Sequence, residues 1–484
     1  MIEGLKPYPE YKESGLPWIP KTPGHWSVNR LRHACEMLVS NVDKHTKPNE
    51  LPVLLCNYVD VYKNERIHPR LRFMRATASK DEVSRFRLRH GDVVITKDSE
   101  DWKDIGVPAL VEHEAQDFVC GYHLAILRPR PAFISGAFLL RTLQCHLVAA
   151  QFHVEAHGVT RYGLGHGAIK DVSVPIPPPD EQAAIVRFLD HANRKIDGFI
   201  RAKRKLIGLL NEQKQAIIHR AVTRGLHPDV PLKPSGIPWL GDIPKHWEVP
   251  RVKQCARKIS KGTTPSTEGR AILESGPVRF LKAENISAGC ITNKPLCFID
   301  EETNRVIRRS QLAENDILFV IAGATLGKTA VVSGEILPAN TNQAVAFIRP
   351  NSRVVPRFLE LWLQSPRIKE LIWLNAVQSA QPNLSMADLG NFVTPVPPRN
   401  EQQQILDFVK EATKPMSDAI ARTEREIALM QEYRTRLTAD LVTGKLDVCE
   451  AAAKLPDLPT DAPAPAEPLT DEAPEESETE EAEA

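Results

Sequence analysis

The residues best suited to nucleotide chemistry lie in the segment Gly323-Ala-Thr-Leu-Gly327-Lys328-Thr329, which partly matches a phosphate-binding loop. A Walker A loop needs four residues between its glycines and a helix after its lysine. Here three residues separate Gly323 from Gly327, and a β-branched stretch follows Thr329. The segment therefore favours a tight turn between two strands. A lysine-bearing loop beside a phosphate backbone remains an alternative.

Other catalytic patterns are absent from the sequence. The histidines and carboxylates form neither an H-E-x-x-H nor a G-x-S-x-G motif, and the eight cysteines contain no C-x-x-C pair. Pro177–Pro179 is followed by Asp180, not by the aromatic residue of a DNA methyltransferase turn. We therefore expect no catalytic residue, no metal and no bound cofactor. Free thiols indicate a reducing cytoplasm, and no apolar stretch approaches a membrane span.

Several loops carry the side chains that read base edges and phosphates in DNA. Each loop alone is also typical of a solvated turn, but as a set they favour DNA binding. The candidate contact residues are Lys97, Ser99, Trp102, Lys103, Arg161, Tyr162, Lys282, Asn285, Thr325, Lys328, Asn342, Gln343, Gln378, Gln381 and Asn383.

The charge distribution supports DNA binding only when residues 1–450 are counted separately from the C-terminal residues. The 484 residues include 62 Lys and Arg against 61 Asp and Glu, which gives a net charge of +1. Residues 451–484 hold 11 of the acids and one lysine, so residues 1–450 keep 61 basic and 50 acidic residues, a net charge of +11. We predict a disordered acidic tail at 450–484. It either limits non-specific DNA contact or is inert.

The chain is a tandem duplication of a unit of about 220 residues. Five short motifs recur at an offset of 220 or 221, and their order is the same in both copies. The motifs are SG-x-PW (14–18 and 235–239), HW-x-V-x-R (25–30 and 246–251), RP (128–129 and 349–350), P-x-PP-x-x-EQ (175–182 and 395–402) and VT (222–223 and 442–443). The middle of each copy is harder to align, which fits either two different reading surfaces or ordinary drift.

Each copy reads as an α+β domain followed by a long helix. Strands are predicted at 92–96, 124–127, 317–321 and 344–348, and helices at 133–150 and 356–374. The predicted domains are 1–173, a first linker and helix at 174–230, a second domain at 231–393, a second linker and helix at 394–449, and the tail.

The two long helices show a heptad pattern that predicts a coiled coil. Two such helices in one chain most simply pack antiparallel on each other, although each helix mating with a separate protein is the alternative. The apolar positions predicted to form the spacer or to dock partners are Ile185, Leu189, Ile196, Leu206, Leu210, Ile405, Val409, Met416, Met430 and Leu437.

These features together resemble the specificity subunits of type I restriction–modification systems. The resemblance covers residues 5–448 and includes VVITKDSEDWKDIGVPALV (93–111), CGYHLAILRP (120–129), GATLGK (323–328), NQ with RP (342–350) and QPNLS (381–385). The acidic tail departs from the usual family pattern.

The resemblance implies two target-recognition domains separated by two long antiparallel coiled-coil helices. Each domain would read one half of an asymmetric double-stranded DNA target, and the helices would set the gap. Two modification subunits would dock on the helices and carry the adenine methyltransferase, while restriction subunits would supply the motor and nuclease. S-adenosylmethionine, ATP and Mg²⁺ would belong to these partners. A fused enzyme or a coiled-coil scaffold without DNA specificity is the competing hypothesis.

Overall fold

The structure is a computed structural model that describes residues 5–287, 289–376 and 383–456. The described residues fall into two units, one formed by 5–203 with 425–456 and the other by 204–424. The division lies inside both long helices. Each unit therefore contains one globular domain, the beginning of one helix and the end of the other, and each mixes helices with sheets as an α+β domain does.

The first unit is built around a five-stranded sheet with the order β4-β12-β8-β10-β6 and a three-stranded sheet with the order β11-β5-β7. Two-stranded pairs join β1 to β2, β9 to β13, and β3 to β14. The strands are β1 (Tyr11–Leu16), β2 (Ile19–Pro23), β3 (Ser27–Arg30), β4 (Cys35–Val39), β5 (Leu51–Cys56), β6 (Arg66–Ile67), β7 (Met74–Ala78), β8 (Val93–Thr96), β9 (Asp98–Ser99), β10 (Pro108–Val111), β11 (Phe118–Cys120), β12 (Leu124–Pro129), β13 (Tyr162–Gly163) and β14 (Ser173–Ile176).

Helices cover these sheets, and the last of them leaves the domain. They are α1 (Leu31–Ala34), α2 (Tyr58–Lys63), α3 (Lys80–Phe86), α4 (Gly136–Leu143), α5 (His146–Glu155), α6 (His166–Asp171) and the long α7 (Pro179–Arg224). Strand β8 is buried along its whole length, which explains its continuous apolar sequence.

The second unit repeats the plan with a four-stranded sheet, β17-β25-β22-β23, and a three-stranded sheet, β21-β18-β24. Pairs join β15 to β16 and β19 to β20. The strands are β15 (Leu232–Pro234), β16 (Asp242–Pro244), β17 (Ala256–Lys261), β18 (Val278–Leu281), β19 (Ile286–Ser287), β20 (Cys290–Ile291), β21 (Phe298–Ile299), β22 (Ile317–Val320), β23 (Thr329–Val331), β24 (Ala339–Thr341) and β25 (Val345–Pro350). The helices are α8 (Glu301–Val306), α9 (Pro356–Leu363), α10 (Pro366–Ala376), α11 (Met386–Asn391) and the long α12 (Arg399–Val442); α13 (Cys449–Ala453) belongs to the first unit.

The four strands expected from the sequence are confirmed as β8, β12, β22 and β25. The two expected helices are each wrong in one respect, because both are interrupted. The helix predicted at 133–150 is α4 followed by α5, and that predicted at 356–374 is α9 followed by α10. Pro366 cannot donate a backbone hydrogen bond to the preceding turn, so a new helix begins there.

A carboxylate at the start of α7 joins the helix to the N-terminal segment of its own unit. Glu181 lies 2.6 Å from His25 Nε2 and accepts hydrogen bonds from Trp26 Nε1 at 2.9 Å and from the Tyr8 hydroxyl at 3.0 Å. Burial and the Glu181 carboxylate raise the pKa of Tyr8, so the phenol stays a donor. Trp26 is completely buried. The HW and EQ motifs therefore recur together because their side chains contact each other.

The second copy repeats this contact at the start of α12. Glu401 accepts a hydrogen bond from Trp247 Nε1 at 3.1 Å and lies 2.8 Å from His246 Nε2. Gly225, just past the end of α7, has a φ of +72°, and a Cβ there would lie 3.2 Å from both Glu401 and Trp247. Only glycine fits this site without strain, because the backbone is left-handed and the neighbours are close.

The glutamine of each EQ pair is buried and fully hydrogen-bonded. Gln182 donates to the carbonyls of Phe133 and Pro177 at 2.8 and 2.9 Å and accepts from Ser135 N at 2.9 Å. Gln402 makes the same set of three bonds, donating to Arg353 O and Pro397 O and accepting from Val355 N. The side chain thereby fastens the proline-rich linker and the preceding loop to the first turn of the helix.

In each domain a buried aspartate lies directly before a central strand, β8 or β22, and holds the start of that strand in place. Asp92 is paired with Arg128 through two bonds of 2.9 and 2.8 Å, and Asp316 is paired with Arg349 through two bonds of 2.8 and 2.7 Å. Because both nitrogens of each guanidinium fork are used, these are directional, charge-assisted pairs. They explain the recurring RP motif and show that Asp92 and Asp316 occupy the same position in the two copies.

The inward face of α7 departs from the predicted heptad. Ile185, Leu189, Ile196 and Ile200 are buried, whereas Leu206 is 40% exposed. An α-helix drifts by about 20° per heptad against a 3.5-residue repeat, so the heptad positions move off the inner face after Ile196. Leu206 therefore lies off the inner face, and its role as a spacer or docking position stays a prediction.

The other predicted spacer positions lie on or near the inner faces. Ile405, Val409 and Leu437 of α12 are buried. Leu210 of α7 and both Met416 and Met430 of α12 are half-buried.

Within each unit the segments of the long helices run antiparallel. In the first unit Asp197 is paired with Arg434, and Lys203 with Glu426 at 2.6 Å, so rising numbers in α7 meet falling numbers in α12. In the second unit Lys214 donates to Ser417 at 2.9 Å, while Val222 shares a core with Ile405.

We expect Gln402→Ala to destabilise the second unit by about 2–3 kcal/mol. The substitution leaves the buried carbonyl of Pro397 and the partly buried Val355 N and Arg353 O without partners, and such groups cost about 1–3 kcal/mol when unpaired. Urea denaturation followed by far-UV circular dichroism measures the loss.

The matched control for this substitution is Gln403→Ala. Gln403 is exposed and bonds only to Asp407 within the helix. Equal destabilisation by the two substitutions would contradict a fastening role for Gln402.

Candidate nucleic-acid interface

In the first unit, three strand ends meet to form what we call the first edge: residues 57–58 after β5, 97–104 after β8, and 121–123 before β12. Gly121 N donates to Cys56 O at 2.8 Å, and Lys97 N donates to His123 O at 2.9 Å. Leu164 N donates to Lys97 O at 3.0 Å and brings residues 161–163 to the same place. Four segments far apart in sequence thus share one edge.

A charged network occupies the centre of the first edge. Lys97 Nζ lies 2.6 Å from Asp98, His123 Nδ1 lies 3.3 Å from the same carboxylate, and Arg161 donates to His123 Nε2 at 3.1 Å. The same Arg161 nitrogen also lies 3.0 Å from Nδ1, so the guanidinium packs against the side of the imidazole ring. Burial lowers the pKa of His123, and the Arg161 cation lowers it further, while Asp98 acts in the opposite direction.

Aromatic side chains flank the network. Tyr58 bonds to Ser99 Oγ at 3.0 Å and stacks on Tyr62 with ring centroids 5.5 Å apart. Tyr62 and Tyr122 are each more than 40% exposed. Exposed rings beside cations and amides are typical of surfaces that contact nucleotides.

Most of the candidates predicted in this unit lie on the first edge. Lys97, Ser99 and Arg161 belong to the network just described, and Tyr162 pairs with Ser99 across β9 and β13. Trp102 and Lys103 lie on a short 3₁₀ turn of the 97–104 loop, with the Lys103 ammonium 5.6 Å from the Trp102 ring centre.

Sequence reasoning missed Tyr58, Tyr62 and His123 as members of the edge. The tyrosines are four residues apart on α2, directly after the apolar run of β5, and that spacing was an available signal. The contact between Tyr58 and Ser99 spans 41 residues of sequence, so the partner could not be predicted from the local pattern.

The second unit has an equivalent second edge, formed by residue 282 after β18, 321–328 after β22, 342–344 before β25, and 383. Asn342 N donates to Leu281 O at 3.1 Å, Ile321 N to Ala344 O at 2.9 Å, and Leu384 N to Ile321 O at 2.8 Å. These three backbone bonds correspond one by one to those of the first edge.

The loop around GATLGK is a turn between β22 and β23, as predicted. Gly327 N donates to Val320 O at 2.9 Å, and Gly323 and Gly327 have φ values of +90° and +83°. A strand, not a helix, follows Lys328, so the turn lacks the helix N-terminus of a nucleotide-binding loop. Lys328 is exposed and Thr325 is half-buried.

One predicted contact residue of this unit is corrected by the structure. Asn285 is completely buried; its Oδ1 accepts from Lys282 N at 2.9 Å, and its Nδ2 donates to Pro295 O at 2.7 Å. Its amide is fully used in holding the loop, so it is not available to a base edge. Lys282 lies where β18 ends, at the second edge.

The remaining candidates divide between the edge and residues that the structure does not describe. The side-chain oxygen of Asn342 is buried and has no hydrogen-bond partner among the described residues, while Gln343 is exposed. Asn383 is exposed and bridges to Ala322 of the turn. Gln378 and Gln381 lie outside the described residues.

Within the described ranges, no three His, Cys, Asp or Glu side chains are grouped to hold a metal ion. In the same part of the chain no helix is long and apolar enough to cross a membrane. All eight cysteines are free, and five of them are buried.

Comparison with known proteins gives consistent matches. Residues 244–428 match the family model of the type I restriction modification DNA specificity domain. The MjaX type I restriction enzyme specificity subunit of Methanocaldococcus jannaschii is 24% identical over 441 residues, covering 89% of this chain and 96% of that protein. The EcoBI specificity subunit of Escherichia coli is 26% identical over 311 residues, covering 59% of this chain and 64% of that protein.

A solved structure shows the same fold. It belongs to work on complex assembly and conformational transition of the type I R-M system, and one of its chains matches with a TM-score of 0.62. The match has 15% identity and covers 87% of this chain and 98% of that chain.

We expect His123 to titrate below its ordinary pKa of 6.5 and Arg161→Gln to raise that pKa, because the substitution removes a neighbouring cation. Since the folded-state pKa is lower than the unfolded-state value, acidification through about pH 6.5 favours the unfolded first unit. Histidine-labelled NMR spectra recorded from pH 5 to 8 measure the shift.

Lys12→Gln is the control, because this exposed lysine lies on β1, away from the first edge. An unchanged His123 titration in Arg161→Gln would contradict the proposed coupling.

Proposed function

We propose that the chain is a type I restriction–modification specificity subunit that reads a bipartite, asymmetric double-stranded DNA target and docks modification subunits, as its similarity to the family model and to the two relatives supports. Specificity subunits are non-catalytic, so the chain is not itself an enzyme. The proposal therefore concerns which DNA it selects and which subunits it assembles.

The observation that carries the proposal is the pair of equivalent edges bearing different side chains. The first edge presents Lys97, Arg161 and exposed tyrosines, whereas the second presents amides and Lys328. Because the backbone frame is the same and the chemistry differs, each edge would read a different base sequence. Two unlike readers in one chain give an asymmetric, split target.

The chemistry of the edges suits the major groove. Arg and Lys recognise guanine, and Asn and Gln recognise adenine, through paired hydrogen bonds. Gln343, which is exposed next to Asn342, would offer its amide to a base edge such as that of adenine. The net charge of +11 over residues 1–450 would add salt-dependent phosphate affinity without sequence information.

We assign the gap between the half-sites to the two long helices, acting as a coiled-coil spacer. They contain 46 and 44 residues, which corresponds to lengths of about 65–70 Å at 1.5 Å per residue. Antiparallel contacts such as Lys203–Glu426 would keep the pair in register.

Outward-facing leucines on these helices are the candidate docking positions for modification subunits. Leu206 is exposed, and Leu209 and Leu429, which occupy the same position in the two copies, are 53% and 60% exposed. Equivalent apolar positions on the two helices suit two copies of one partner. S-adenosylmethionine, ATP and Mg²⁺ would be held by the modification and restriction subunits.

We expect replacement of residues 20–173 by the corresponding residues of another such subunit to change one half of the DNA target only. The segment contains the whole first edge and none of the second. Mapping methylated adenines in the host genome by long-read sequencing identifies the target before and after the exchange.

Removal of residues 457–484 is the control for this exchange and should leave both halves unchanged. A change in both halves after the exchange would contradict two independent readers. A complex without any sequence preference would favour the alternative, a coiled-coil scaffold.

We expect deletion of residues 206–212 together with 418–424 to shorten the gap by about three base pairs. Each deletion removes seven residues, about 10 Å of helix, and base pairs are spaced by about 3.4 Å. The deletions retain the flanking contacts Lys203–Glu426 and Lys214–Ser417. The same methylation map provides the measurement, and altered half-sites with an unaltered gap would contradict the spacer role.

A further inference from the structure

A shallow basic groove runs along the edge strand β17 of the second unit. Its volume is about 360 Å³, and it lies between β17 and α11. Three cationic side chains line it, Lys253, Arg257 and Lys258, and no carboxylate is among its lining residues.

The cations of the groove lack carboxylate partners within the described part of the chain. Lys253 and Arg257 are exposed. Lys258 Nζ donates to a carbonyl, that of Arg309, at 2.8 Å. The carboxylate of Asp388, on α11, accepts from the Ser385 hydroxyl at 2.6 Å and does not line the groove. The groove therefore carries excess positive charge.

The position of Lys258 in the sheet is electrostatically unfavourable without an anion. It lies directly opposite Arg349 on β25, whereas the corresponding pair in the first unit is Glu36 opposite Arg128. Opposite charges facing each other across strands stabilise a sheet, and like charges destabilise it. Asp316 neutralises Arg349, which leaves the charge of Lys258 uncompensated.

Arg257 is present in the groove because β17 carries a bulge. The register of β17 against β25 shifts between Ala256 and Lys258, so Arg257 is an additional residue. The corresponding strand β4 pairs with β12 without a shift. Bulges at sheet edges redirect side chains and are frequent at functional positions.

The corresponding surface of the first unit is neutralised. Asp171 at the end of α6 forms ion pairs with Arg30, at 3.2 Å, and with Arg32, the counterpart of Lys253. In the second unit the same position is Asn391, which carries no charge and accepts from Arg251 at 3.2 Å. The excess charge is thus specific to one copy.

We propose that this groove binds the phosphodiester backbone of DNA beside the half-site that the second unit reads. The inference rests on the proposed function. Strand β17 ends at Lys261, opposite Ala346 near the start of β25, so the groove continues from the second edge along the same strand. DNA lying on that edge would reach Lys258, Arg257 and Lys253 in turn.

The test uses the full-length chain and a duplex that carries its methylated target sequence. Lys253→Ala combined with Arg257→Ala should reduce the slope of log K against log salt by about 1.8, because each phosphate contact contributes about 0.9. Raising the salt concentration from 50 to 200 mM would then weaken DNA binding by the parent roughly ten times more than DNA binding by the variant. The preference for the correct second half-site over a scrambled one should stay unchanged.

A second variant, Lys258→Glu, restores the charge pairing of the first unit. It should lower the slope as well and should abolish ethylation interference at phosphates flanking one half-site only. The matched control is Arg32→Ala combined with Lys170→Ala in the first unit, which should leave the slope at the parent value. Thermal unfolding monitors folding of every variant.

Three outcomes would overturn the proposal. The first is a parental slope in folded groove variants, and the second is an equal loss of slope in the control. The third is a slope that falls only after residues 457–484 are removed, because the acidic tail would then occupy the groove. The parent chain's own sequence preference tests the proposed function separately, since the groove changes the salt slope and not the preference.

Discussion

Glu181 and Gln182 bind different parts of the first unit through consecutive side chains at the start of α7. The carboxylate holds the buried Trp26, and the amide holds three backbone groups of the loop and linker before the helix. Since both side chains come from the first turn, the direction in which the helix leaves its domain is fixed by hydrogen bonds with defined geometry. The second copy uses Glu401 and Gln402 in the same way. Each long helix is therefore fixed in direction where it begins.

The same frame allows the two edges to diverge. The Asp92–Arg128 and Asp316–Arg349 pairs hold the central strands, while the edge residues lie in loops beyond the strand ends. Substitutions in such loops change little buried area and leave the core bonds intact, so they cost little stability. Recognition can therefore change while the fold stays constant. The groove on β17 shows that divergence also reached an edge strand, where one additional residue and one reversed charge altered the surface.

The sequence predicted the elements whose signals are local. Apolar β-branched runs identified β8 and β22, glycine spacing identified the turn before β23, and the heptad pattern identified the two long helices. Features that depend on distant partners were not predictable. The Tyr58–Ser99 contact joins separate segments, and the burial of Asn285 follows from a loop that closes around its amide. The exposure of Leu206 was not predictable from the heptad, because a helix near 3.6 residues per turn drifts against a 3.5-residue repeat.

The first unit includes both ends of the described chain, because Lys6 and Asp447 exchange backbone hydrogen bonds and Leu441 and Val442 of α12 lie in its core. Among the residues that the structure describes, the second unit consists of 204–424. On the ribosome, the N-terminal domain usually completes its fold first. Here the order is reversed, since the second unit has all its residues while the first still awaits the end of α12. The N-terminal domain must therefore wait through the synthesis of more than 200 residues with part of its apolar core uncovered. The duplicated architecture thus makes the end of α12, which is translated after the second unit, complete the core of the first domain.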